Sequence, residues 1–119
     1  MTHTMKLHSR PFEMIRRGQK TIELRLYDEK RRVICVGDTL VFTHSDALGQ
    51  TVAATVTALH IFPDFATLYA ALPLDKCGYL PEELASAAPA DMDVYYSAEK
   101  QANYGVVGIE IQLIEEDLQ

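Results

Sequence analysis

Gly18-Gln19-Lys20-Thr21-Ile22-Glu23-Leu24-Arg25 is the stretch on which the reading of this chain turns. A short helical segment ends at its glycine, and a strand begins just after. Lys20, Glu23 and Arg25 thus crowd together where the backbone changes direction, a usual setting for a site. Side chains of an extended strand alternate, so Ile22, Leu24 and Leu26 share one face. Thr21, Glu23, Arg25 and Tyr27 share the other. Glu23 and Arg25 therefore point the same way, with Lys20 at the strand's mouth.

Upstream, Pro11 and Gly18 frame a helix with Phe12 and Ile15 on its apolar side. Arg16 and Arg17 fall in its last turn, where cations suit the helix dipole. Residues 5–9 alternate weakly and open a sheet. Downstream, residues 33–36 are an apolar piece closed by the turn signal Gly37-Asp38. Residues 39–43 read as a strand and residues 46–50 as a hairpin loop. Residues 51–61 are β-branched, with Val52, Ala54, Val56 and Ala58 on one face. Residues 106–114 form the final strand, aligning Val107, Ile109, Ile111 and Leu113.

The intervening region, residues 63–103, is helical in pattern. Asp64 caps a helix bearing Phe65, Leu68, Tyr69 and Leu72, and Pro73 ends it. Pro81 opens a second short helix. Asp91 caps a third, with Met92, Tyr95, Tyr96 and Glu99 at helical spacing. Residues 115–119 read as an acidic, frayed end. The sum is one α+β domain over residues 1–119, with a mostly antiparallel, barrel-like sheet and a helical insertion before the last strand.

Charge is unevenly placed. Residues 1–32 hold nine Lys/Arg against four Asp/Glu, whereas residues 33–119 hold two lysines against thirteen acids. A basic face on an acidic body suits a confined anionic ligand better than a nucleic-acid coat. No apolar run is long enough to span a membrane, and the N-terminus lacks the apolar centre of a signal peptide. Cys35 and Cys77 show no zinc spacing, and a reduced, cytoplasmic setting is expected. His3, His8, His44 and His60 lack metal-ligand spacing. No phosphate-binding or dinucleotide-binding glycine motif is present, so neither metal nor cofactor is expected.

Three groupings have chemical potential. Arg25 offers a planar fork of donors, Lys20 a point charge and Glu23 an acceptor for amino groups, a mixture suited to a nucleobase. The competing readings of the same residues are an exposed sheet face laced by ion pairs and a partly buried ion network that only holds the barrel together. Lys30-Arg31-Arg32 either steers a phosphate backbone towards the cluster, with Arg31 and the Arg10–Arg17 helix, Arg17 included, as phosphate contacts, or is a solvated loop. Tyr95, Tyr96 and Tyr104 are stacking candidates. Tyr95 fits an apolar helix stripe instead, which leaves Tyr96 or Tyr104 to line a cleft.

Gly18-Gln19-Lys20-Thr21-Ile22-Glu23-Leu24-Arg25 resembles the G-x-K-T-x-E-x-R signature of ASCH domains. Val36-Gly37-Asp38-Thr39-Leu40-Val41-Phe42 resembles the strand that follows it in that family. Tyr95-Tyr96-Ser97 and Tyr104-Gly105-Val106-Val107-Gly108-Ile109-Glu110-Ile111 are similar to the family's closing helix and strand. The resemblance covers almost the whole chain, with the motifs in order. It implies a small β-barrel related to PUA domains, with a cleft lined by Lys20, Glu23 and Arg25. It also implies a role in RNA binding or RNA metabolism.

Some small ASCH proteins are amidohydrolases that deacetylate 4-acetylcytidine with a lysine, a threonine three residues later and a later glutamate. This chain keeps Lys20 but carries Glu23 at the threonine's position, with Thr21 on the other strand face. Asp91, Asp93 and Glu99 are the candidates for the later acid. Two functions follow. In the first, Lys20, Glu23, Arg25, Arg17, Arg31 and Tyr96 bind RNA or a nucleotide. In the second, a small hydrolase uses Glu23 as general base and Lys20 to stabilise developing charge on a modified nucleoside or on RNA.

Overall fold

The computed structural model describes residues 1–114. Its elements in chain order are β1 (Thr2–Leu7), α1 (Ser9–Arg16), β2 (Ile22–Leu26), α2 (Glu29–Arg32), β3 (Thr39–His44) and β4 (Thr51–Phe62). Then come α3 (Phe65–Ala71), 3-10 turns at Leu74–Lys76, Pro81–Ser86 and Pro89–Val94, α4 (Ala98–Tyr104) and β5 (Val106–Leu113). The expected acidic end, residues 115–119, lies outside the described residues.

The strands form a five-stranded sheet in the order β1-β3-β4-β5-β2. β1 runs parallel to β3, while β3–β4, β4–β5 and β5–β2 are antiparallel. The sheet is mixed because the route from β1 to β3 passes through α1, β2 and α2, returning the chain to the end where β1 began. The barrel-like sheet expected is a half-barrel. Among the described residues, edge strands β1 and β2 share no backbone ladder. Instead the Arg25 Nη2 donates to the Lys6 carbonyl at 3.3 Å, so a side chain bridges the seam.

Both faces of the sheet are covered. Phe12 and Ile15 of α1 pack with Leu40, Phe42, Val56, Val107 and Ile109 on the inner face. Phe65 and Leu68 of α3 pack with Ile22, Leu24, Leu26 and Val106 on the outer face. Double coverage explains why strand β2 is buried on both sides. The alternation predicted for β2 holds. What it did not convey is that its polar face also points inward: Glu23 pairs across from Ile109 and Arg25 from Val107.

Three local readings change. The register of β4 shifts between Val56 and Ala58, so Thr57 is an extra residue and Ala58 turns to the opposite face from Val56. Lys30-Arg31-Arg32 is not a loop but most of α2, because the Asp28 side chain caps it by accepting from the Arg31 N–H at 3.2 Å. Asp91 caps no α-helix. It lies within the 3-10 turn opened by Pro89, and its carboxylate reaches back to the Ala88 N–H at 3.1 Å. Ser97 caps the following helix, α4, by accepting from the Lys100 N–H. Tyr95 and Tyr96 therefore fall in a link rather than on a helix stripe.

Asp64 does cap α3, accepting from the Thr67 N–H at 2.8 Å and from its hydroxyl at 2.7 Å. Gly18 follows α1 with φ of 80°, the left-handed conformation that a residue past a helix end needs. The Gln19 and Lys20 N–H groups then fold back onto the Met14 carbonyl at 2.9 and 3.1 Å. This wrap over the helix end places Lys20 beside β2.

Candidate functional site

Lys20, Glu23 and Arg25 meet at the seam between the edge strands. The Lys20 Nζ stands 2.6 Å from the Glu23 Oε1, and the Arg25 Nε donates to the Glu23 Oε2 at 2.8 Å. Glu23 is only 3% exposed, the single buried charged residue among those described, so the solvated-face reading gives way to a buried ion network. Its Oε1 is closed off from solvent beneath the lysine. Burial pushes the Glu23 carboxyl up, yet Lys20 and Arg25 outweigh it and hold the group below the ordinary carboxylate range. Burial likewise disfavours the charged Arg25, and Glu23 more than reverses that. Glu23 and Arg25 thus each hold the other's charged form against the cost of burial.

A cleft of about 530 Å³ opens over this cluster, between α1 and the region that links β4 to β5. Its floor holds Lys20, Glu23, Leu24 and Arg25. One wall comes from β1 and α1 and carries Lys6, His8 and Arg10. The other carries Tyr69, Tyr79, Met92, Tyr95 and Tyr96. Gly78 closes the gap beside the lysine. A β-carbon there would lie 3.3 Å from the Lys20 Cδ, and φ of 109° already excludes most side chains.

The aromatic wall is internally bonded. The Tyr69 and Tyr79 hydroxyls are 2.8 Å apart, and the Tyr79 hydroxyl donates to the Asp91 Oδ2 at 2.7 Å. Burial, and then these two partners, raise the Tyr79 phenol above its ordinary value, so it stays protonated and donating. Tyr96 is half-buried and stacks on Phe65 with ring centroids 6.3 Å apart. Tyr95 is 65% exposed and free to meet a ligand, contrary to the helix-stripe expectation. Cys77 also borders the cleft, but burial pushes its thiol up to about 11, so it is no ready nucleophile.

Of the residues singled out from sequence, Lys20, Glu23, Arg25, Asp91, Tyr95 and Tyr96 come together in the cleft. Arg17 and Arg31 do not line it. Arg17 borders a more open groove along α1 that meets the cleft at Arg10 and Met14. Arg31 is held by Asp28 at 3.0 Å, and Arg32 lies over the Tyr27 ring while donating to the Tyr104 carbonyl. The basic run is thus occupied with its own neighbourhood, and Tyr104 packs in the outer core. Asp93 and Glu99 are outside the cleft, and Asp91 is engaged by Tyr79. Sequence reasoning missed His8 and also Tyr69 and Tyr79, the last two far from the signature along the chain. Only the tertiary fold assembles them.

Among the described residues no group of His, Cys, Asp and Glu is arranged to hold a metal ion. No described helix is long and apolar enough to cross a membrane. Cys35 and Cys77 are both free.

The fold has close relatives among solved structures. It is similar to the crystal structure of the hypothetical protein PH0355, with 31% identity, a TM-score of 0.79, and coverage of 96% of this chain and 100% of that one. It is similar to the solution structure of protein PF0455 from Pyrococcus furiosus at 32% identity and a TM-score of 0.67, covering 98% of this chain and 100% of that one. The ASCH protein from Zymomonas mobilis shares the fold at 16% identity and a TM-score of 0.63, over 93% of this chain and 66% of that one. Among curated proteins there is no match. The ASCH domain matches residues 5–115, nearly the whole sequence, and the chain belongs to the ASCH domain family.

Proposed function

We propose that the chain binds a nucleotide or an unpaired base of RNA in this cleft. The observation that carries the reading is the floor of the cleft, where Lys20 and Arg25 flank the buried Glu23 beside the wall that holds Tyr95 and Tyr96. The Lys20 and Arg25 donors serve ring nitrogens and carbonyls of a base edge, and Glu23 holds both cations in place. Tyr95 and Tyr96 offer faces for stacking. The family is generally RNA-binding or hydrolase-like, which agrees at the coarse level.

The hydrolase alternative asks Glu23 to take a proton. A general base works best with a pKa near the operating pH, whereas Lys20 and Arg25 hold Glu23 below its ordinary range. An anion stabilised that strongly accepts hydrogen bonds well and protons poorly, so binding is the better-supported role.

The test is fluorescence anisotropy of a labelled single-stranded RNA with wild type, Lys20→Ala and Arg25→Ala, followed by a denaturing gel. Saturable binding of intact RNA, weakened by both substitutions and by salt, is the expected result. Binding indifferent to both, or cleavage of the RNA, refutes the reading.

A further inference from the structure

The cleft is graded in depth. Its floor carries the buried Glu23, while Lys6 and Arg10 on the rim are exposed. The Lys6 carbonyl is tied to Arg25 at the seam, and the Arg10 Nη2 donates to the Gly78 carbonyl at 3.3 Å, against the very residue that abuts Lys20. Arg10 also reaches across the cleft to pair with Glu83, whose Oε1 accepts from the Leu80 N–H at 2.8 Å. Neither Arg10 nor Glu83 is deeply buried, at 54% and 34% side-chain exposure, so their pairing is weak and exchangeable. Glu83 raises the Arg10 pKa, as an anion at that position must. In chemical terms, Glu83 is a carboxylate sitting where a ligand anion would engage the Arg10 guanidinium.

Resting on the base-binding reading above, we propose that the preferred ligand is phosphorylated, with its phosphate at Lys6 and Arg10, and that Glu83 competes with that phosphate for Arg10. The base lies inward against Lys20, Arg25 and the tyrosine wall, and the phosphate stays at the wet rim. An arginine fork matches a phosphate in two-point geometry at least as well as it matches a carboxylate. Exchange of partners then leaves Arg10 satisfied in both states. Glu83 loses an exposed ion pair and keeps its contact with Leu80.

Isothermal titration of the four common ribonucleosides and their 5′-monophosphates tests this. For the best-bound base, the monophosphate binds roughly tenfold more tightly than its nucleoside. Arg10→Ala collapses that difference. Glu83→Gln keeps an acceptor for Leu80 but removes the competing charge, so it tightens the monophosphate several-fold and leaves the nucleoside where it was. Nucleoside and monophosphate binding equally, or Glu83→Gln weakening the monophosphate, overturns the phosphate seat alone. Failure of every nucleoside, nucleotide and single-stranded RNA to bind overturns the base-binding reading beneath it as well. Thermal melts of both variants accompany the titrations, and unchanged melts ensure that the affinities report binding rather than fold.

Discussion

Substituting Glu23 by glutamine removes one charge and almost no volume, and its cost follows from the geometry of the seam. The carboxylate is 3% exposed and meets Lys20 at 2.6 Å and Arg25 at 2.8 Å. Both cations are themselves largely buried, at 11% and 14% side-chain exposure. Glutamine keeps an acceptor for Arg25 but leaves two neighbouring cations uncompensated. Breaking a buried pair from one side costs about 3–5 kcal/mol. In a domain of this size each kcal/mol moves the melting temperature by about 4 °C, so a fall of about 12–20 °C is expected. The pH dependence has a definite sign. The folded pKa of Glu23 lies below its unfolded value, so its contribution is fully present above the unfolded carboxylate pKa, about 4.3, and fades as pH falls through the folded value. The gap between wild type and Glu23→Gln should therefore close on acidification. Circular-dichroism melts from neutral to acid pH measure both effects, with Glu13→Gln, at an exposed helix pair, as a control expected to change little. A shift below about 4 °C at neutral pH, or a gap that widens in acid, refutes the ionised-cluster account.

Other outcomes follow from the same structure. Gly108→Ala places a methyl 2.7 Å from the Leu72 Cδ1 and 3.1 Å from the Ile22 Cγ2, and this overpacking should cost about 1–3 kcal/mol in urea unfolding. Asp38 accepts from His3 at 2.7 Å and from the Cys35 N–H at 3.0 Å, which hold its carboxyl down to about 2. Its carboxyl resonance should titrate there, with stability lost as pH falls through that range, and an ordinary Asp value would contradict the contacts. Cys35 is exposed while the Cys77 thiol is buried and raised, so a maleimide at neutral pH should label Cys35 quickly and Cys77 slowly. Tyr79→Phe breaks the hydroxyl chain from Tyr69 to Asp91 and should cost about 1 kcal/mol without abolishing folding.

Local chemistry made much of this legible. The alternation of residues 22–26 fixed which side chains of β2 share a face, and Asp64 marked the start of α3. The signature cluster was found where its spacing put it. What alternation cannot convey is which faces are covered, since that depends on partners distant in sequence. Glu23 and Arg25 looked like a solvated face, yet they lie opposite Ile109 and Val107, on the side where α1 closes the core. The opposite error concerned Lys30-Arg31-Arg32, where helix capping by Asp28 and stacking on Tyr27 consume charges that looked available. Tyr95 was misplaced because Pro89 and Ser97 divide one apparent helical stripe into a 3-10 turn and a separate helix. The Tyr79 wall carries no local pattern and arises only when residues 74–97 fold against α1 and β2.

The central claim, that the seam cleft is where a base is bound, is tested most directly by following backbone amide resonances during titration with a short single-stranded RNA. The account predicts saturable shifts concentrated at Lys20, Glu23, Arg25, Gly78, Tyr79 and Tyr95, with α2 nearly silent. Shifts centred on Lys30-Arg31-Arg32, with the cleft unmoved, would contradict it.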